Sequence, residues 1–169
     1  MAEQFLTLMA DLDTSTQARL DEWYGHLRQA GFTGAQTPGL PFHISLAVFP
    51  TDMETEAVDV MRSAASAFAP VPVHLSHIGM FAGGKVLFCT PERDGKLNAL
   101  HEACDPGLPQ TYPWTPHVTV LIDAPETVQK ALPLLIKDFT PLSASIVRLH
   151  LCAFWPTREI GAAELTGNG

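Results

Sequence analysis

Basic charge is what this chain most lacks. Against 18 acidic residues it carries 10 Lys and Arg, a formal net charge of −8 over 169 residues. A protein that tracks long nucleic acid needs a basic stripe to displace counterions, so binding to long DNA is not expected. A small phosphate ligand held by a few donors is compatible with this balance. Cysteine is scarce as well. Cys89, Cys104 and Cys152 are widely spaced, odd in number and form no CxxC pair. A disulfide framework is therefore not expected, and a reducing cytosol is the expected compartment. No apolar run approaches the ~20 residues that span a bilayer. The opening "MAEQFLTLMADLD" has no basic segment and meets acids early, so it does not read as a signal peptide. What is present is apolar content: 46% hydrophobic residues against 17% charged. That is enough for a packed core, and the length fits one domain, or one domain of two lobes.

Read along the chain, the elements repeat. "QFLTLMA" (4–10) has the pattern of a buried strand. A helix follows from about Thr14, capped by Asp13 or Thr14, with Leu20, Trp23, Tyr24 and Leu27 on one stripe. "GAQTPGLP" is loop. In "PFHISLAVF" (41–49), Phe42, Ile44, Leu46 and Val48 alternate with His43, Ser45 and Ala47. A second helix carries Ala57, Val60, Met61 and Ala64, and 71–81 reads as a strand. The same order then recurs: a strand at 85–90, a short helix with Leu97, Leu100 and Cys104, and a loop. "PHVTVLI" follows with His117 and Thr119 on one face, then a helix with Pro125 in its first turn. Pro133 is expected to kink or shorten that helix. A strand at 143–154 closes the unit. His117 follows His43 by 74 positions and Phe154 follows Phe81 by 73. The reading is one domain over 1–169, built from two β-α-β-α-β units of about 4–81 and 85–154, with a C-terminal strand or tail at 156–169. The expected class is α+β: a bilobal, pseudo-twofold duplication with interleaved lobes, mostly antiparallel sheets, outer helices and a central cleft.

Residues i and i+2 of a strand share a face, so His43 projects with Ser45 and His117 with Thr119. Two imidazoles on opposite sides of a phosphate suit in-line displacement. One takes a proton from the nucleophile and the other gives one to the leaving oxygen, both near neutral pH. The hydroxyls can donate to the non-bridging oxygens, where charge builds. No metal or other cofactor is required by this scheme, and no carboxylate or Cys belongs to either motif, so no metal site is expected. A single H-x-[ST] match carries little weight. With seven His and 22 Ser plus Thr, about one is expected by chance. His74-Leu75-Ser76 is a third match without a counterpart in the other half. The weight lies in the pair and its register. Lys85, Arg148 and Arg158 are candidate phosphate cations, and Trp114 is a candidate stacking surface for a base. Phe42, Phe81 and Phe154 are expected in the core. His77 and His150 occupy equivalent strand positions, with a structural role expected.

"FHISL" and "PHVTV" resemble the paired H-x-[ST]-hydrophobic motifs of the two-histidine (2H) phosphoesterase superfamily, in particular the bacterial 2′-5′ RNA ligase-like proteins. The resemblance covers roughly residues 4–160, including "IGMF…GGKVLFCTP", "YPWTPHVTV" and "LHLCAFWPTREI". It implies a bilobal α/β protein that makes or breaks 2′-5′ linkages, or opens 2′,3′-cyclic phosphates, without metal. By that resemblance His43 and His117 are the catalytic pair, and Ser45 and Thr119 position the phosphate. The implied partner is a small nucleotide or short oligonucleotide with a 2′-5′ linkage or cyclic phosphate. No membrane is involved, and a cytoplasmic monomer is expected. The rival class is a binding module that holds a nucleotide in the same cleft without turnover.

Overall fold

A computed structural model of the chain describes residues 4–168. Its elements in order are β1 (Phe5–Leu12), α1 (Thr14–Gln29), β2 (His43–Phe49), α2 (Glu54–Ala67), β3 (Val71–Met80), β4 (Val86–Pro91), α3 (Gly95–Cys104), β5 (Val118–Ile122), α4 (Pro125–Asp138), β6 (Leu142–Phe154) and β7 (Arg158–Glu164). The β-α-β-α-β unit occurs twice, and β7 is the addition. Every strand pairing is antiparallel, and the sheet order is β1-β2-β5-β4-β3-β6-β7 with β1 also paired to β6.

The pairings show the duplication directly. β1 lies between β2 and β6, while β4 lies between β5 and β3. Each half of the sheet thus takes two strands from one unit and its third from the other. Ile44 pairs with Val118, its own counterpart 74 positions on. Pro72 pairs with Ser145, 73 positions on. Equivalent residues can face each other only on the axis relating the two units, so the axis passes through both pairs.

The helices follow their apolar stripes. Leu20, Trp23 and Leu27 of α1, Ala57, Met61 and Ala64 of α2, and Val128, Ala131 and Leu135 of α4 all enter the main core. Asp13 caps α1. Its carboxylate accepts from Thr16 N (2.9 Å), Thr16 Oγ1 (2.8 Å) and Ser15 Oγ (2.6 Å), and from Ser145 N on β6 (2.7 Å). Burial alone would raise its pKa, but these donors outweigh it and hold the group at about 2, against an ordinary 3.8. A depressed carboxylate stabilises the fold above its unfolded pKa and loses that contribution as pH falls through its folded one. Asp13→Asn is therefore expected to cost about 1–2 kcal/mol at neutral pH, a difference that shrinks below pH 4 and vanishes near pH 2 in urea titrations.

Two local expectations are corrected. Val48 was expected to face the same way as Ile44 and Leu46, but it is 41% exposed. A bulge lies between Leu8 and Met9: Met9 pairs with Ser45 and Leu8 with Ala47, so Leu46 is skipped and the alternation reverses beyond it. Ala47 and Phe49 fill the core instead. Pro133 was expected to kink or shorten its helix, yet α4 runs unbroken to Asp138. Pro133 and Gln129 are both exposed, so the carbonyl that loses its donor faces water, where it can be satisfied.

Candidate active site

The Ile44–Val118 pair fixes the site. Both residues are fully buried in the core, so their neighbours in sequence project from the opposite face. In an antiparallel ladder centred on this pair, position 43 lies across from 119 and 45 across from 117. His43, Ser45, His117 and Thr119 therefore share one face, with the imidazoles on one diagonal and the hydroxyls on the other. Diagonal neighbours lie about 7–8 Å apart in a regular ladder. No further pair joins β2 to β5 in the described register, so the strands diverge on both sides of the bridge.

The two histidines are held identically. His43 Nδ1 lies 2.8 Å from the Pro41 carbonyl oxygen, and His117 Nδ1 lies 2.8 Å from that of Thr115. A carbonyl only accepts, so each Nδ1 carries the hydrogen and each Nε2 is left for chemistry. His74, the unpaired third motif, lacks this lock: its Nδ1 faces Ser143 Oγ at 3.3 Å. Burial pulls both site imidazoles below their ordinary pKa. At His43 the Pro41 carbonyl and the Asp11 charge work against it, and at His117 the Thr115 carbonyl does.

Their surroundings differ. Asp11 pairs with His43 across β1 and β2. It is 3% exposed and takes two bonds from Arg148, Nε at 2.9 Å and Nη2 at 2.6 Å. His150, also buried, stands 3.5 Å from it. His117 instead meets aromatic rings, Phe81 edge-on at 4.7 Å and Phe88 at 5.2 Å. Gly79 lies opposite Phe88, and a Cβ there would fall 2.5 Å from the ring. The glycine lets Phe88 reach the histidine. Gln17 of α1 fixes the approach to His43: its amide donates to Phe42 O (2.7 Å) and accepts from Phe42 N (2.8 Å). Thr90 does the same for His117 by donating to Pro116 O (2.8 Å).

A groove of about 1140 Å³ opens over this face, lined by His43, Ser45, Thr119 and Arg148 among others. His117 is outside its lining. Arg148 reaches the groove already committed to Asp11. Lys85 is exposed in the loop before β4 and Arg158 pairs with Glu54; neither lines the groove. Trp114 is also outside it. Its indole donates to Ser45 O (2.9 Å) and stacks on His101 at 3.8 Å, and His101 Nδ1 donates to Leu46 O (2.8 Å). Trp114 thus braces β2 from behind. Phe154 is buried in a small apolar cluster and Phe42 packs against the main core, as expected, and both also border the groove; Phe81 packs on His117. His150 is buried beside Asp11 and Cys152, whereas His77 is exposed, beside Ser76. Gln17, Thr90 and Asp11 were not singled out from the sequence. No local pattern marks these three; Gly79 within a strand signals only the close approach of Phe88 beside His117.

The fold is shared with several solved structures. One crystal structure of a phosphoesterase is 19% identical, with a TM-score of 0.66, covering 96% of this chain and 99% of that one. The protein TT0787 of Thermus thermophilus is 18% identical (TM-score 0.67, covering 98% and 100%). LigT of E. coli, in complex with 3′-AMP, is 17% identical (TM-score 0.66, covering 96% and 98%). A sequence comparison with curated proteins gave no match. The model of the 2′-5′ RNA ligase superfamily matches residues 13–154, and the chain belongs to that family. Among the described residues, no helix is long and apolar enough to cross a membrane.

Proposed function

We propose that the protein is a phosphoesterase that acts on 2′-5′ phosphodiesters or 2′,3′-cyclic phosphates of small nucleotides or short oligonucleotides, using His43 and His117 as an acid and base pair. The observation that carries this is the twofold-related lock: two imidazoles, each with Nδ1 tied to the carbonyl two residues back, flanking one bridge between strands. For a cyclic phosphate, water attacks phosphorus in line while one Nε2 takes its proton. The opposite P–O bond breaks, and the other imidazolium protonates the leaving oxygen. Ser45 and Thr119 donate to the non-bridging oxygens. Asp11 favours the cationic form of His43, whereas His117 sits among rings that offer no charge. Burial lowers both, so placement carries the assignment: the Asp11 carboxylate stands across the strand pair from His43 and rings surround His117, and in the hydrolytic direction we take His43 as acid and His117 as base.

The test is turnover of 2′,3′-cyclic nucleotides and 2′-5′-linked dinucleotides, with and without a chelator. The expected result is hydrolysis that persists in chelator. Loss of activity in chelator contradicts metal independence, and binding without turnover identifies a nucleotide-holding module.

A further inference from the structure

We infer that the aromatic end of the groove, formed by Phe5, Phe154 and Trp155, is a second base-binding subsite, one that takes the base of a neighbouring nucleotide rather than the one bearing the reacting phosphate. This rests on the proposed activity and adds a length preference within its substrates, set by one aromatic subsite.

Three observations converge. First, the groove continues past the histidine site to these three residues, which line it together. Its 1140 Å³ exceeds the ~300–1,000 Å³ common for pockets that hold one drug-sized ligand. Second, the rings form an ordered platform. Phe5 stacks on Phe154 at 5.5 Å, and Trp155 meets Phe154 edge-on at 5.2 Å. Phe154 rests on Met9 and Cys152, a small apolar cluster separate from the main core. Trp155 is 47% exposed, an apolar ring left facing the groove where a flat π surface can stack. Third, the register gives the separation. Ser45 pairs with Met9, and Phe5 lies four residues further along β1, about 13 Å at ~3.3 Å per residue. A cyclic phosphate is fused to its own ribose, so its own base stays within a sugar's width of phosphorus. Only the base of an adjoining nucleotide, on the 5′ side, reaches that far.

Charge points to stacking as the source of affinity. Of the nearby cations, Arg148 is tied to Asp11, Arg158 to Glu54, and Arg28, which also lines the groove, lies over the Tyr24 ring. Base–aromatic stacking tolerates any base and depends little on salt, unlike phosphate contacts.

The experiment compares kcat/KM for uridine 2′,3′-cyclic phosphate and for di- and triuridylates ending in the same group. In the unmodified protein the trinucleotide is expected to exceed the mononucleotide by about ten-fold, with a ratio that holds as salt is raised. Trp155→Ala should collapse the ratio towards one, and Trp155→Phe should retain part of it. Taking the ratio within each variant cancels any loss of active protein. A ratio near one in the unmodified protein, or an unchanged ratio in Trp155→Ala, overturns the subsite. If no length is turned over, the proposed activity fails, and a second readout still decides. In a His43→Ala/His117→Ala protein, triuridylate should quench tryptophan emission, and Trp155→Ala should abolish that quenching. Trp23 is buried and Trp114 is stacked on His101, leaving Trp155 as the reporter. Absence of quenching overturns the subsite.

Discussion

Replacing either His43 or His117 with alanine is expected to lower kcat by about 10²–10⁴-fold, with much smaller changes in KM. In the proposed mechanism each imidazole handles a different proton of the same displacement, so removing one disables the step whatever the other does. The double variant should accordingly be no worse than the more damaged single variant by more than about ten-fold, because groups that act as a unit are strongly non-additive. Steady-state kinetics on a cyclic nucleotide, with circular dichroism to confirm folding, measures this. His74→Ala is the control. His74 lacks both the carbonyl lock and a counterpart in the other unit, and its loss should leave turnover essentially intact. Two single variants whose losses multiply in the double would indicate independent roles and contradict a shared site.

Asp11→Ala is expected to destabilise the fold by about 3 kcal/mol, the lower part of the range for breaking a buried ion pair. The carboxylate is nearly inaccessible, but the Arg148 side chain is 38% exposed and can turn towards water once released. Urea unfolding followed by circular dichroism measures the loss. Asp11→Asn keeps the shape and removes the charge, which separates stability from chemistry. The Asp11 charge raises the His43 pKa against burial, so without it that pKa falls further. With His43 as the acid, activity disappears once His43 loses its proton. The alkaline limb of the kcat/KM profile should therefore move to lower pH in Asp11→Asn, and turnover at pH 7 should fall by about ten-fold. A shift confined to the acid limb would reverse the assignment of acid and base.

Much of this fold is readable from local pattern. The cap at Asp13, the Leu20, Trp23, Leu27 stripe and the unit repeat all depend on neighbours within a few residues, or on spacing that a duplication preserves. The histidine pair is legible for the same reason: the second copy supplies the register that a lone motif lacks. What the sequence hides depends on which strands meet. Arg148 reads as a free cation until β1 lies beside β6 and brings Asp11 against it. Trp114 reads as a base-stacking surface until α3 delivers His101 to its face. Phe154 is buried as its apolar character suggests, but that it also borders the groove, in a cluster apart from the main core, depends on β1 lying beside β6. The reversal at Val48 follows from a bulge that pairing, not composition, imposes. The effect of Pro133 depends on whether the freed carbonyl faces protein or water, which no local pattern reveals.

The most direct test of the two-histidine account is the pH dependence of kcat/KM for a 2′,3′-cyclic nucleotide between about pH 4 and 9. The proposed mechanism needs one imidazole neutral and the other protonated, and burial holds both below their ordinary 6.5 in the free protein. The expected result is a bell with its maximum below about pH 6.5, whose acid limb disappears in the residual activity of His117→Ala and whose alkaline limb disappears in that of His43→Ala. A flat profile, or a rate that climbs steadily through pH 8, would contradict paired imidazole catalysis.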